Sequence, residues 1–224
     1  NKLESYIIDI QPDIVFHLAA KPLVIYSYNY PIDTWETNVL GTINLLESLK
    51  KLNKKCAVIV ITTDKVYHNY EKQIDYKEGD RLGGYDPYSS SKAAVELVVD
   101  SWRNSFFKSK EIRIASARAG NVIGGGDWSQ DRIIPDAVNS LTKNKNILIR
   151  NPNFIRPWQH VLDPLNGYLI LAENLFSNDN LEFQSAFNFG PEKNQNKTVL
   201  NLVNEILKNW TENNEILKNK NDFH

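Results

Sequence analysis

The stretch "DPYSSSKAAVELVVDSW", Asp86 to Trp102, sets a tyrosine and a lysine four residues apart near the start of a segment with helical periodicity. At that spacing two side chains lie one turn apart on the same helix face. An ammonium beside a phenol stabilises the phenolate and so lowers a pKa that is ~10 in isolation. A phenol tuned in this way takes a proton from an alcohol near neutral pH. Tyr88 and Lys92 are therefore a candidate acid–base pair. They are also two ordinary helix residues, and the rest of the chain has to decide between these readings.

The remaining composition narrows the choice. The four histidines, His17, His68, His160 and His224, are scattered without metal-ligand spacing, so no metal site is expected. Cys56 is the single cysteine, which rules out a disulfide within the chain and leads to the expectation of a cytoplasmic protein. Lys and Arg number 26 against 27 Asp and Glu, a net charge of −1, so nothing electrostatic points to nucleic acid or a membrane surface. No apolar run approaches the ~20 residues that cross a bilayer, and no signal-peptide pattern is visible. The 224 residues begin at Asn1, contain no methionine, and end in "NWTENNEILKNKNDFH", whose apolar residues keep a helical rhythm. The chain is expected to be a piece of a longer protein.

The elements that must position the pair alternate. "PDIVFHLAA", "CAVIVITT" and "IRIASARAG" are short continuous apolar runs, the signature of strands buried on both faces. Between them, Thr34 to Leu52 carries Val39, Ile43, Leu46 and Leu49 at helical spacing. Leu82 to Pro87 is a turn, and Ser89 to Phe107 has Ala93, Ala94, Leu97 and Val98 along one side. This order predicts an α/β fold with a parallel sheet. Beyond "GNVIGGGDW", helices are predicted near Arg132–Lys143, Asp163–Phe176 and Val199–Trp210, with short strands at "NILIR" and "AFNFG". The division expected is a sheet domain over 1–120 and a smaller α/β lobe over 121–224.

Ligands of an open parallel sheet bind outside the carboxyl ends of its strands, and polar or small residues follow each strand here. "HLAAKP" places Ala19 and Ala20 where a flat ligand could approach the backbone, although tight packing of the strand into its loop reads equally well. "TTDKVY" offers two hydroxyls, a carboxylate and an amine, which are costly to bury unless paired or wet. A solvated loop is the other reading. "GNVIGGGDW" opens no helix at the offset a phosphate loop requires and reads as a mobile loop. "RNPNFIRPWQHV" brings Arg150 and Arg156 together with Trp158 and His160; arginine forks suit phosphate and aromatic rings suit a base or sugar, or the arginines make surface ion pairs.

Taken together, "HLAAKPLV", "TNVLGTINLLE", "TTDKVY", "LGGYDPYSSSKAAVEL", "ARAGNVIGGGDW" and "IRPWQHVLDP" resemble the extended short-chain dehydrogenase/reductases and, among them, the CDP-glucose 4,6-dehydratases, over about Pro12 to Trp210. The resemblance implies a partial Rossmann-like doubly wound parallel sheet lacking its first strands and the Gly-rich turn that holds the NAD pyrophosphate, with a smaller substrate-binding lobe. It implies NAD as cofactor, a nucleotide sugar as substrate and a homodimer as the assembly. Tyr88, Lys92 and Thr63 would form the catalytic set. Asp64 and Lys65 stand where related dTDP-sugar enzymes carry an Asp-Glu pair, so Asp64 would be the acid for the leaving C6 hydroxyl and Lys65 a base, an electrostatic helper or a positioning group. Leu18, Ala19, Ala20, Asn38 and Thr62 would contact NAD, as would Tyr88 and Lys92. Asn121, Arg132, Arg150, Arg156 and His160 would contact the substrate.

Overall fold

The computed structural model describes residues 2–70, 75–108, 111–177, 181–192 and 197–210. In chain order the elements are α1 (Lys2–Ile10), β1 (Ile14–His17), α2 (Val24–Asn29), α3 (Pro31–Trp35), α4 (Gly41–Leu49), β2 (Cys56–Ile61), α5 (Pro87–Trp102), β3 (Ile112–Ala119), β4 (Asn121–Ile123), α6 (Ile133–Thr142), β5 (Ile155–Arg156), β6 (Trp158–His160), α7 (Leu162–Ser177), β7 (Ala186–Phe189), β8 (Lys197–Thr198) and α8 (Val199–Asn209). Among the described residues no helix is long and apolar enough to cross a membrane. The helical rhythm expected at the end of the chain falls on 211–224, outside the described residues.

The three expected strands form the centre of one parallel sheet, and β7 joins it, in the order β1-β2-β3-β7. In β2, Cys56 to Val60 are all buried, as is every residue of β3 except Arg113. Burial of this kind requires cover on both faces, which is why β2 reads as an unbroken apolar run. The main core gathers Val58, Val60, Ile112 and Ile114 from the strands, Leu46 and Leu49 from α4, and Val95 and Val99 from α5. Each such side chain contributes roughly 1.5–3 kcal/mol by leaving water. The helix carrying Tyr88 and Lys92 is thus fixed by its own apolar face.

Residues fall into two compact units, Asn1–Ala119 with Pro164–Phe189, and Gly120–Asp163 with Gly190–His224. The expected contiguous division is corrected: the first boundary lies at Ala119, but Pro164–Phe189 returns to the first unit because β7 pairs with β3, Ser116 opposite Ala186 through Ala119 opposite Phe189. The second unit has its own small core of Ala137, Leu141, Ile147, Ile149 and Val203. "NILIR" is not a strand. Its alternation is real, with Ile147 and Ile149 buried and Leu148 exposed, but among the described residues no strand pairs with it. The helix expected from Thr34 begins three residues earlier at Pro31 and passes through a widened turn, Glu36–Leu40. The short elements α1, α2, β4, β5, β6 and β8 were not expected.

Candidate active site

Helix α5 starts at a fixed place for local reasons. Asp86 is its N-cap, accepting from the Ser89 amide at 2.9 Å and the Ser89 hydroxyl at 2.6 Å, and Pro87 occupies the first turn, where its missing N–H costs nothing. Gly84 precedes the cap with φ +125°, and a Cβ there would lie 2.5 Å from the Ser89 carbonyl carbon and the Ser90 nitrogen. Only glycine lets the loop come this close to the helix. The Tyr88 amide donates to the Ser27 hydroxyl of α2 at 3.1 Å, and that hydroxyl donates to the Val24 carbonyl at 2.7 Å. Tyr88 is therefore held by its backbone, and its side chain is buried to 7% exposure.

One turn on, Lys92 is 6% exposed and its Nζ donates to the Ile61 carbonyl, the last of β2, at 2.9 Å. Burial lowers its pKa to about 8, against the opposing pull of Glu96. Thr63 follows β2 by two residues. Its hydroxyl donates to Asp64 Oδ1 at 3.1 Å and accepts from the Lys65 amide at 3.4 Å, so the threonine caps a single tight turn, Asp64–Val66. Asp64 and Lys65 are partly exposed and 3.9 Å apart. Hydroxyl, carboxylate and amine thus follow directly on the strand that holds Lys92.

Of the residues expected at the cofactor, Leu18, Ala19 and Ala20 form the loop after β1, the first two exposed. Asn38 and Thr62 turn inward instead. Asn38 is 1% exposed; its Oδ1 accepts from the Lys21 amide at 2.8 Å, and its Nδ2 donates to the Lys21 carbonyl at 3.3 Å and to Ser91 Oγ at 2.8 Å. Its amide ties the loop after β1 to α5. The Thr62 hydroxyl donates to Glu96 in the interior. His17, at the end of β1, shares a hydrogen bond of 2.9 Å with the Thr42 hydroxyl, which gives its own proton to the Asn38 carbonyl at 2.6 Å. His17 Nε2 must then be the donor, which fixes the tautomer. Burial, with Lys92 as a second cause, lowers the His17 pKa to about 4.

The expected substrate residues all lie in the second unit. Arg132 pairs with Asp127 at 3.1 Å, and Arg150 pairs with Asp131 at 2.9 Å, the surface ion pair that stood as the other reading of Arg150. Arg156 has no ion pair among the described residues; it donates to the Ile155 carbonyl at 3.1 Å and lies 5.2 Å from the centre of the Phe154 ring. Asn121 lies opposite Trp158 in the β4–β6 pair, and its Oδ1 and the indole Nε1 are both buried without a hydrogen-bond partner among the described residues. His160 ends β6 and accepts from the Leu162 amide at 3.3 Å.

Sequence reasoning missed a buried network behind Lys92 and Thr63. Glu96 Oε2 accepts from Ser116 at 2.6 Å and Arg118 at 2.9 Å, and Arg118 also donates to the Tyr67 hydroxyl at 2.8 Å. Tyr67 donates to Asn188 Oδ1 of β7 at 2.6 Å. A signal was present: Glu96 continues the four-residue spacing of Tyr88 and Lys92, and Ser116 and Arg118 are polar residues at alternate positions of a strand whose neighbours there are alanines.

A parallel sheet with a Tyr–Lys pair and a threonine at its carboxyl edge defines a class, and comparison with known proteins gives its limits. The chain belongs to the NAD dependent epimerase/dehydratase family, whose model matches residues 1–190. It is 48% identical over 214 residues to the CDP-glucose 4,6-dehydratase of Salmonella typhimurium, covering 93% of this chain and 59% of that enzyme. The fold matches the UDP-glucose 4-epimerase of Thermus thermophilus in complex with NAD, with TM-score 0.77, 21% identity, and coverage of 92% of this chain and 64% of the other. It also matches a double mutant of the dTDP-glucose 4,6-dehydratase from Streptomyces venezuelae with NAD and DAU bound, with TM-score 0.74, 22% identity, and coverage of 92% and 60%.

Proposed function

We propose that this chain carries the catalytic residues of an NAD-dependent nucleotide-sugar 4,6-dehydratase, with CDP-glucose as substrate. The observation that carries the reading is the turn after β2. An epimerase needs only proton and hydride transfer at C4. A 4,6-dehydratase also needs an acid for the C6 hydroxyl and a base for the C5 proton, and Asp64 and Lys65 stand side by side next to Thr63. The 48% identity to a CDP-glucose 4,6-dehydratase supports the same choice.

The residues fit NAD: Leu18 and Ala19 lie exposed after β1, and a buried lysine lies beside the carboxyl end of β2. Leu18, Ala19, Ala20, Tyr88 and Lys92 would hold it, with Asn38 and Thr62 acting through the backbone they fix. Bound NAD would supply a reversible hydride acceptor for sugar C4 and donor for C6, with no net redox change. Tyr88 accepts the proton of the 4-hydroxyl. The Lys92 ammonium favours the phenolate. Thr63 hydrogen-bonds the same hydroxyl or Tyr88. The 4-keto group acidifies C5–H; Lys65 takes that proton or stabilises the enolate its loss leaves, Asp64 protonates the C6 hydroxyl as it leaves as water, and a proton returns to C5 when hydride reaches C6. Asn121, Arg132, Arg150, Arg156 and His160 contact the nucleotide diphosphate and base, Arg156 being free of a competing carboxylate among the described residues.

The test is turnover by the complete protein with NAD and, in parallel, CDP-, UDP- and dTDP-glucose, read from the ultraviolet absorbance that 4-keto-6-deoxy sugars develop in alkali. CDP-glucose should lead by at least ~10-fold in kcat/KM, the value of one buried group matched to the cytosine edge. Equal rates on all three would remove the nucleotide and keep the reaction. A product with its C6 hydroxymethyl intact would make the protein an epimerase.

The working assembly is a homodimer, supported by apolar surface along α3, the widened turn and α5, where Ile32, Leu40 and Leu97 are each more than half exposed. Its compartment is the cytoplasm, supported by a single, buried cysteine.

A further inference from the structure

Glu96 is a carboxylate 4% exposed, paired with an arginine 4% exposed. Burying two charges costs several kcal/mol each, and replacing such a pair by apolar side chains of like volume is often neutral or stabilising. Stability alone therefore does not account for it. Its connections do. Glu96 lies one turn beyond Lys92 and two beyond Tyr88 on the same side of α5. Oε1 accepts the Thr62 hydroxyl, and Oε2 accepts Ser116 Oγ at 2.6 Å and Arg118 Nη2 at 2.9 Å. Lys92 meanwhile holds the carbonyl of Ile61. Helix α5 thus grips the end of β2 at two consecutive residues, and the next residue is Thr63. Beyond Thr63, the Arg118 Nη1 donates to the Tyr67 hydroxyl at 2.8 Å and to the Glu78 carbonyl at 2.9 Å, which fixes the far side of the Asp64–Val66 turn.

We propose that Glu96 is a positioning residue: through Thr62 and Arg118 it locks Thr63 and the Asp64–Lys65 turn in register with the helix that carries Tyr88 and Lys92. Its catalytic meaning rests on the dehydratase reading above; the clamp itself rests on the hydrogen bonds.

The test uses Thr62→Val, which removes one hydroxyl at constant volume and leaves the ion pair whole, and Glu96→Gln, which removes the charge. In the complete protein, Thr62→Val should lower kcat at least tenfold with KM within threefold, because substrate is still bound but the reacting groups are misplaced. Glu96→Gln should do the same and also move the alkaline limb of kcat to lower pH. The charges facing Lys92 are Glu96 on its own helix and, when protonated, His17 from β1, and Glu96 is the one that raises the lysine pKa. If Glu96→Gln fails to fold, Thr62→Val decides alone. Folded variants with kcat within twofold and an unmoved alkaline limb would overturn the proposal. A second readout needs no turnover. Amide exchange of Lys65 and Val66, whose N–H groups donate to Thr63, should quicken at least tenfold in Thr62→Val while the β1 amides stay as they are. If the wild-type protein fails to dehydrate any nucleotide sugar, the dehydratase reading falls and this exchange measurement still judges the clamp; unchanged exchange would dismiss it.

Discussion

At the scale of residues, burial sets the titration of Lys92 and His17 around the candidate site. Tyr88→Phe removes only the phenolic oxygen from a residue anchored by its backbone to Ser27, so the variant should fold as the wild type does. It should lose at least ~10²-fold in kcat, the contribution of a general base; near-normal turnover would remove Tyr88 from the mechanism. His17 gives a prediction for stability. Its folded pKa is about 4 against 6.5, so above pH 6.5 it is neutral in both states and below about 4 it is protonated in both. Between these values the unfolded chain binds more proton. The stability present above pH 6.5 is therefore lost as pH falls through about 4, by roughly 3 kcal/mol. Urea unfolding at several pH values should show this slope, and His17→Gln should flatten it. Tyr88 and Lys92 stand out as candidates because their types and spacing state a chemistry, and Thr63 joins them only through the family resemblance. Thr62 and Asn38 were placed with the cofactor, but their partners Glu96 and Ser91 are distant in sequence and come together only through packing.

At the scale of elements, what sequence reveals is length and apolar continuity. β2 and β3 are long and almost wholly buried, and they were read correctly. β5 and β8 pair over two residues each, Ile155 opposite Thr198 and Arg156 opposite Lys197, and no periodicity exists over two residues. "NILIR" shows the converse: alternation describes which side chains are buried, but a strand also needs a partner for its backbone, and that lies outside its own sequence. The start of α5 was expected at Ser89 and lies two residues earlier, at Pro87, although its capping is local. Asp86 followed by Pro87 states where the helix begins. Asp86→Ala removes both bonds to Ser89 and should cost about 1 kcal/mol, read as a fall in the urea midpoint at unchanged slope. A variant as stable as wild type would mean that packing of Val95 and Val99 alone sets the register of the helix.

At the scale of the whole molecule, the chain leaves the sheet at Gly120, returns for Pro164–Phe189 and leaves again. A reader of sequence assigns domains contiguously, and only the pairing of β7 with β3 reveals the return. The two units then have separate cores. In the first, strands and helices share many fully buried aliphatic side chains, among them Leu46, Leu49, Ile59, Ile112 and Ile114. In the second, five buried side chains hold α6, the 147–149 segment and α8 together. A small core has few contacts over which to spread a defect, so it is the more sensitive to a single deletion. Leu141→Ala removes most of one of those five side chains and should destabilise the second unit by about 2–4 kcal/mol. Because the cores are separate, the loss should appear in one unit only. Hydrogen exchange should show α6 and α8 amides losing protection by the corresponding factor, while Val58 to Val60 in β2 and Ile114 to Ala117 in β3 exchange as slowly as before. Equal loss of protection in both sets would mean that the two units unfold as one cooperative body.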